Sequence, residues 1–80
     1  IYLDSSSNNT ITGNTIQNNG SRGIYLNRSD NNTITGNTSR SNSSTNFYVS
    51  ANYNLINGNS YGSSSFSGTG NDTSENIQQT

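Results

Sequence analysis

Asn8-Asn9-Thr10-Ile11-Thr12-Gly13-Asn14-Thr15 recurs residue for residue as Asn31-Asn32-Thr33-Ile34-Thr35-Gly36-Asn37-Thr38, 23 positions further along the chain. The segment ahead of each copy also matches: Ile1-Tyr2-Leu3 and Ile24-Tyr25-Leu26. A degraded third copy follows, with Phe47-Tyr48-Val49 in register with Ile24-Tyr25-Leu26. In it Asn54-Leu55-Ile56-Asn57-Gly58-Asn59 matches Asn32 to Asn37 at a spacing of 22, one residue having been lost from the intervening loop. Self-similarity at such a period marks a solenoid, whose units bury their apolar faces only by stacking on one another.

Pattern decides between strand and helix. Ile24-Tyr25-Leu26 and Thr33-Ile34-Thr35 alternate with period two, β-branched and aromatic residues dominate the apolar set, and Gly and Asn clusters bound each run. Asn, Ser, Thr and Gly are poor helix formers, and no apolar residue recurs at i, i+3, i+4. Short strands separated by brief turns, repeating every 22 or 23 residues, predict an all-β parallel β-helix with about three strands per coil. Leucine-rich repeats have a similar period, but their leucine and helix pattern is missing. About three coils occupy residues 1–62, while 63–80 reads as an irregular fourth coil using Phe66 and Ile77, or as a low-complexity tail.

Stacking at the ordinary strand spacing of about 4.8 Å puts each residue over its counterpart one period on. The inward columns are then Ile1, Ile24, Phe47; Leu3, Leu26, Val49; and Ile11, Ile34, Ile56. A fourth, Ile16, Ser39, Tyr61, is broken by the serine, so loose packing is expected there. Asn14, Asn37 and Asn59 form a polar column, each preceded by a glycine. Asparagine tolerates the left-handed corner conformation, and its amide both donates and accepts, so the column is expected to be an asparagine ladder. Asn42 falls in a loop, where little should depend on it.

Composition narrows the function. Only 24% of residues are hydrophobic, too few for a conventional globular core, but net charge is also low, unlike most disordered chains. Three basic and four acidic residues leave no electrostatic footprint for nucleic acid, and no apolar run is long enough for membrane insertion. There is no Cys, His or Met, hence no thiolate, imidazole or thioether ligand, and no cofactor is implied. Calcium would require an acidic pattern that the scattered carboxylates lack. The chain begins at Ile1 inside an expected strand, as a piece of a longer protein would. Alone, it is expected to be unfolded or to associate end to end, because it exposes uncapped sheet edges.

Gly23-Ile24-Tyr25-Leu26 and the octapeptide at 31–38 resemble the repeats of the right-handed parallel β-helix superfamily, most closely its NosD-like group of periplasmic and surface proteins, often grouped with carbohydrate-binding and sugar-hydrolase β-helices. Similar repeats occur in mannuronan epimerases, pectate-lyase-like proteins and phage tail spikes. The resemblance implies an extracellular, cell-surface, periplasmic or virion location, a homotrimer or further coils of the parent as partners, and polysaccharide as ligand. It also brings in copper, for which this chain has no suitable donor. Catalytic members cluster carboxylates on one exposed sheet. Here Asp4 and Asp30 read as solvated turn residues, and Arg22, Arg28 and Arg40 as having no partner in neighbouring coils. No catalytic residue is assigned, and an enzymatic parent would carry its active residues elsewhere. The remaining recognition feature is the outward column Tyr2, Tyr25, Tyr48, which either stabilises adjacent strands or stacks on sugar rings.

Overall fold

The computed structural model describes residues 1–79, among which all regular structure is short strand. The first coil holds β1 (Tyr2–Asp4), β2 (Thr10–Thr12) and β3 (Thr15–Gln17), and the second β4 (Ile24–Asn27), β5 (Thr33–Thr35) and β6 (Thr38–Arg40). The third holds β7 (Phe47–Ser50), β8 (Leu55–Asn57) and β9 (Ser60–Tyr61); β10 (Ser64–Ser67) and β11 (Ile77–Gln78) follow. They assemble into three parallel sheets, β1-β4-β7-β10, β2-β5-β8 and β3-β6-β9-β11. The architecture is a right-handed parallel β-helix.

Register follows the repeat. Tyr2 pairs with Tyr25 and Tyr25 with Tyr48, Ile11 with Ile34 and Ile34 with Ile56. Beyond residue 62 the chain keeps winding: Phe47 pairs with Ser64, Val49 with Phe66 and Ser60 with Ile77, and Leu55 bridges to Asp72. The offset here is 17 residues. The contraction lies between β9 and β10, where Gly62-Ser63 replaces the six-residue turns that close the first two coils.

The corners explain why so polar a chain turns so tightly. A residue with positive φ precedes each corner asparagine: Gly13, Gly36, Gly58 and Glu75 at φ 70°, 67°, 67° and 57° in one column. In the other, Asn8, Asn31, Tyr53 and Gly70 lie at 64°, 59°, 56° and 73°. The left-handed step therefore falls on the residue before the ladder asparagine and not on the asparagine, as the sequence reading had it. Glycine adopts it without steric cost, and asparagine with little.

The core is the stacked inward columns. Ile24, Leu26, Ile34, Phe47, Val49 and Ile56 are wholly buried, each stabilising the fold by about 1.5–3 kcal/mol relative to exposure. Leu3, Ile16 and Phe66, in the end coils, are only partly covered. Ile1 is a correction to the expected core. It is in register, its carbonyl accepting from the Tyr25 N–H at 2.8 Å, but as the outermost member of its column it stays 45% exposed. The Ile16–Ser39–Tyr61 column is not loose either. Ser39 is buried and donates to the Asn46 carbonyl at 2.9 Å, while Tyr61 leans against Phe47 with ring centroids 5.2 Å apart and fills the space.

Candidate functional site

Two asparagine ladders run the length of the solenoid. Asn14, Asn37 and Asn59 lie in one column that continues to Asn76. Each backbone N–H donates to the side-chain Oδ1 of the next member, at 3.0, 2.9 and 3.0 Å. From the second coil on, the Nδ2 also reaches a carbonyl of the coil behind it: Asn37 donates to Ile11 and Asn59 to Ile34, both at 2.9 Å, and Asn76 to Ile56 at 2.8 Å. Asn9, Asn32, Asn54 and Asn71 repeat the arrangement at 2.8, 2.8 and 3.0 Å. This second ladder was not anticipated, although its signal is in the sequence: Asn9, Asn32, Asn54 and Asn71 each stand five residues before a member of the first. A third, shorter ladder overturns the reading of Asn42 as idle. Its Oδ1 accepts from the Asn19 N–H at 3.1 Å, and its Nδ2 donates to Asn46 Oδ1 at 2.7 Å. These groups are held against backbone at the corners, and the internal members are almost fully buried. They are scaffold, satisfying polar groups that would cost about 1–3 kcal/mol each if left unpaired.

What faces outward on the first sheet has a different chemistry. Alternation along β1, β4 and β7 places Tyr2, Tyr25 and Tyr48 in a single outer column. Tyr2 and Tyr25 stack, with centroids 4.7 Å apart and planes 27° apart, whereas Tyr25 and Tyr48 meet edge to face at 5.0 Å and 84°. The column is therefore not a flat strip. The Arg22 guanidinium lies 4.5 Å from the Tyr25 centroid and 4.2 Å from that of Tyr48, a double cation–π contact. Its Nε is buried and has no hydrogen-bond partner among the described residues. Tyr2 is the open member, at 59% exposure.

The neighbouring outward column is Asp4, Asn27, Ser50 and Ser67. Arg28 donates to Asp4 Oδ1 at 2.9 Å, and Asn27 Nδ2 to the same oxygen at 3.2 Å. The Arg28 hydrogen bond is the main cause that holds the Asp4 carboxyl below its ordinary value, and the same bond raises Arg28. The arginines thus do find partners in adjacent coils, since Arg40 Nε also donates to Gln17 Oε1 at 3.4 Å. Short turns let a side chain at a coil corner reach across a strand spacing, which column alignment alone did not capture. Asp30 is likewise a corner acceptor, taking the Asn52 N–H at 2.8 Å.

Chemically, this face offers aromatic stacking, guanidinium donors and a field of hydroxyl and amide groups. Asp4 is engaged by Arg28, and Asp72 by the Ser74 hydroxyl and N–H, whose hydrogen bonds lower its pKa. Among the described residues no three acidic side chains lie together in a way that would hold a cation.

No curated protein and no solved structure matches the chain. A family model described as periplasmic copper-binding protein (NosD) matches residues 1–79, and the three parallel sheets agree with that family's β-helix. The match spans every described coil, so this chain belongs to the NosD family, a parallel β-helix family whose description places it in the periplasm.

Proposed function

We propose that this chain is a rigid structural segment of a periplasmic or surface β-helix protein, and that its first sheet presents a weak polysaccharide-binding face along Tyr2, Tyr25 and Tyr48. The observation that carries the reading is the in-register tyrosine column with Arg22 laid on it. Aromatic faces stack on the apolar faces of sugar rings. The open Tyr2 ring supplies such a face, the edge of the stacked Arg22 guanidinium supplies donors, and Asn27 and Ser50 supply hydroxyl-matching groups beside it.

Copper has no part in this reading. The family description names it, but copper sites are built from imidazole, thiolate and thioether, and this chain contains no His, Cys or Met. The residues present do not fit the ion.

A short strip binds weakly, so the expected affinity for an oligosaccharide is about millimolar, near −4 kcal/mol. The test is a glycan array followed by NMR titration of the hit. Tyr2→Ala, at the open end of the column, should lose several-fold in affinity while the spectrum of the remaining coils is unchanged. Absence of any hit, or equal binding by a folded Tyr2→Ala variant, would leave the column with strand stabilisation alone.

A further inference from the structure

The chain has three basic side chains, and two of them are satisfied. Arg28 is paired with Asp4 at 2.9 Å, and Arg40 donates to Gln17. Arg22 stands apart. Its guanidinium meets no acceptor among the described residues: the Nε is buried, while the two Nη atoms, equally without an acceptor, are not sealed from solvent. No carboxylate is free to serve it. Of the four acidic residues, Asp4 is held by Arg28, Asp30 accepts the Asn52 N–H, Asp72 accepts from Ser74, and Glu75 stands at the corner ahead of β11, on another sheet.

A cation taken partly out of water without a counter-charge costs free energy. Here the offset comes from two ring faces, 4.5 Å away at Tyr25 and 4.2 Å at Tyr48. A ring face stabilises the charge but accepts none of the in-plane N–H groups, so those donors are left for a ligand. The two rings also fix the side chain in place, and little of its freedom is lost when an acceptor arrives. The arrangement does not depend on where the sequence begins. Tyr25 lies on β4, paired with β1 and β7, and Tyr48 on β7, paired with β4 and β10, and the guanidinium spans the two.

We propose that Arg22 is the anion-binding position of this face: it takes a carboxylate or sulfate carried by a sugar ring seated on the tyrosine column, so that the face selects acidic over neutral polysaccharide. The inference rests on the polysaccharide reading of the first sheet and adds charge selectivity to it. An oxyanion accepts two parallel N–H bonds from a guanidinium, a match that a neutral hydroxyl lacks. Beyond Tyr48 the outer column continues to the exposed Ser65, whose hydroxyl is placed to meet those of the sugar. One isolated cation suits an anionic substituent on a sugar. Nucleic acid or an anionic membrane would call for a basic cluster, which this chain does not have.

NMR titration of the full chain with three ligands tests this: maltohexaose, sulfated maltohexaose and hexagalacturonate. At low salt an anionic ligand should bind about tenfold tighter than maltohexaose, and the advantage should shrink at high salt. Whether the sulfated or the uronate ligand gains more identifies the anion. Arg22→Gln should erase the advantage, whereas Arg40→Gln, an equal loss of charge on the third sheet, should keep it. Should Arg22→Gln fail to fold, the Arg22 side-chain N–H resonances of the unaltered chain report instead, shifting and exchanging more slowly with water when the anionic ligand is added and not when maltohexaose is. Equal affinity for neutral and anionic ligands, an advantage that survives in folded Arg22→Gln, or Arg22 resonances that ignore the anionic ligands would overturn the proposal and leave the polysaccharide face standing. Failure of all three ligands to bind would overturn the face and its selectivity together.

Discussion

Tyr53 holds φ at 56° in the column where Asn8 and Asn31 turn the first two coils. A bulky side chain pays for that conformation with close contacts between Cβ and the following carbonyl, about 1–2 kcal/mol that asparagine largely avoids. Tyr53→Asn should therefore raise stability by about 1 kcal/mol in urea denaturation, the ring being mostly exposed and little missed. The ladder gives the opposite sign. Asn37 bonds in both directions, so Asn37→Ala should cost about 1–3 kcal/mol, whereas the half-buried Asn57, whose side chain makes one 3.4 Å contact to Ser74, should cost about 0.5 kcal/mol or less on the same substitution. Asp4 adds a pH signature. Its folded pKa lies below the ordinary 3.8 because Arg28 donates to it, so its contribution is fully present above the unfolded pKa and fades as pH falls through the folded one. Both groups are exposed and the contribution is small. Carboxyl NMR should place the Asp4 midpoint below 3.8, and Arg28→Gln should move it upward. At this scale the sequence showed the Gly-Asn column because glycine marks it. The Asn9–Asn32–Asn54–Asn71 column was hidden by its varied left-handed partners, Asn, Asn, Tyr and Gly, which look like ordinary loop composition.

Elements are positioned by what the corners leave room for. Gly36 sits at φ 67° with its nearest neighbour 3.7 Å from where a Cβ would be, so its requirement is conformational and Gly36→Asn should be tolerated. Gly23, just ahead of β4, is constrained by space instead. A Cβ there would fall 2.5 Å from the Asn46 carbonyl oxygen and on top of the Ser39 hydroxyl, the group that bridges β6 to that carbonyl. Gly23→Ala should therefore destabilise more than Gly36→Asn, by about 1–3 kcal/mol, as overpacking does. Thermal melts of the pair test the order. Strand register was legible because a repeated octapeptide fixes it twice over. The packing around Ser39 was not, since the buried serine is satisfied by the Asn46 carbonyl in the turn that closes its own coil, and Tyr61, one period on, leans against Phe47; neither contact is a repeat of one in another coil.

Across the whole molecule, one invariant outlasts the repeat. The period contracts from 23 to 22 to 17, yet the corner asparagines stay five residues apart, at Asn9 and Asn14, Asn32 and Asn37, Asn54 and Asn59, Asn71 and Asn76. Five residues carry the chain across one short strand from corner to corner, a length the β2-β5-β8 face cannot change, whereas the third turn is free to shorten. The last coil was hard to see for that reason, its period having changed while its corners had not. The outward face was legible as a tyrosine column but not as an arginine-capped one, because Arg22 lies before β4 and reaches back over it. All of this rests on the claim that coils are joined by backbone-to-asparagine bonds between residues 22 or 23 apart. Magic-angle-spinning NMR of ¹⁵N,¹³C-labelled chain measures it directly, whether the sample is monomeric or assembled. The account predicts polarisation transfer from the backbone nitrogens of Asn14 and Asn37 to the side-chain carbonyl carbons of Asn37 and Asn59, respectively. Transfer confined to sequence neighbours, or cross-strand contacts in antiparallel register, would contradict it.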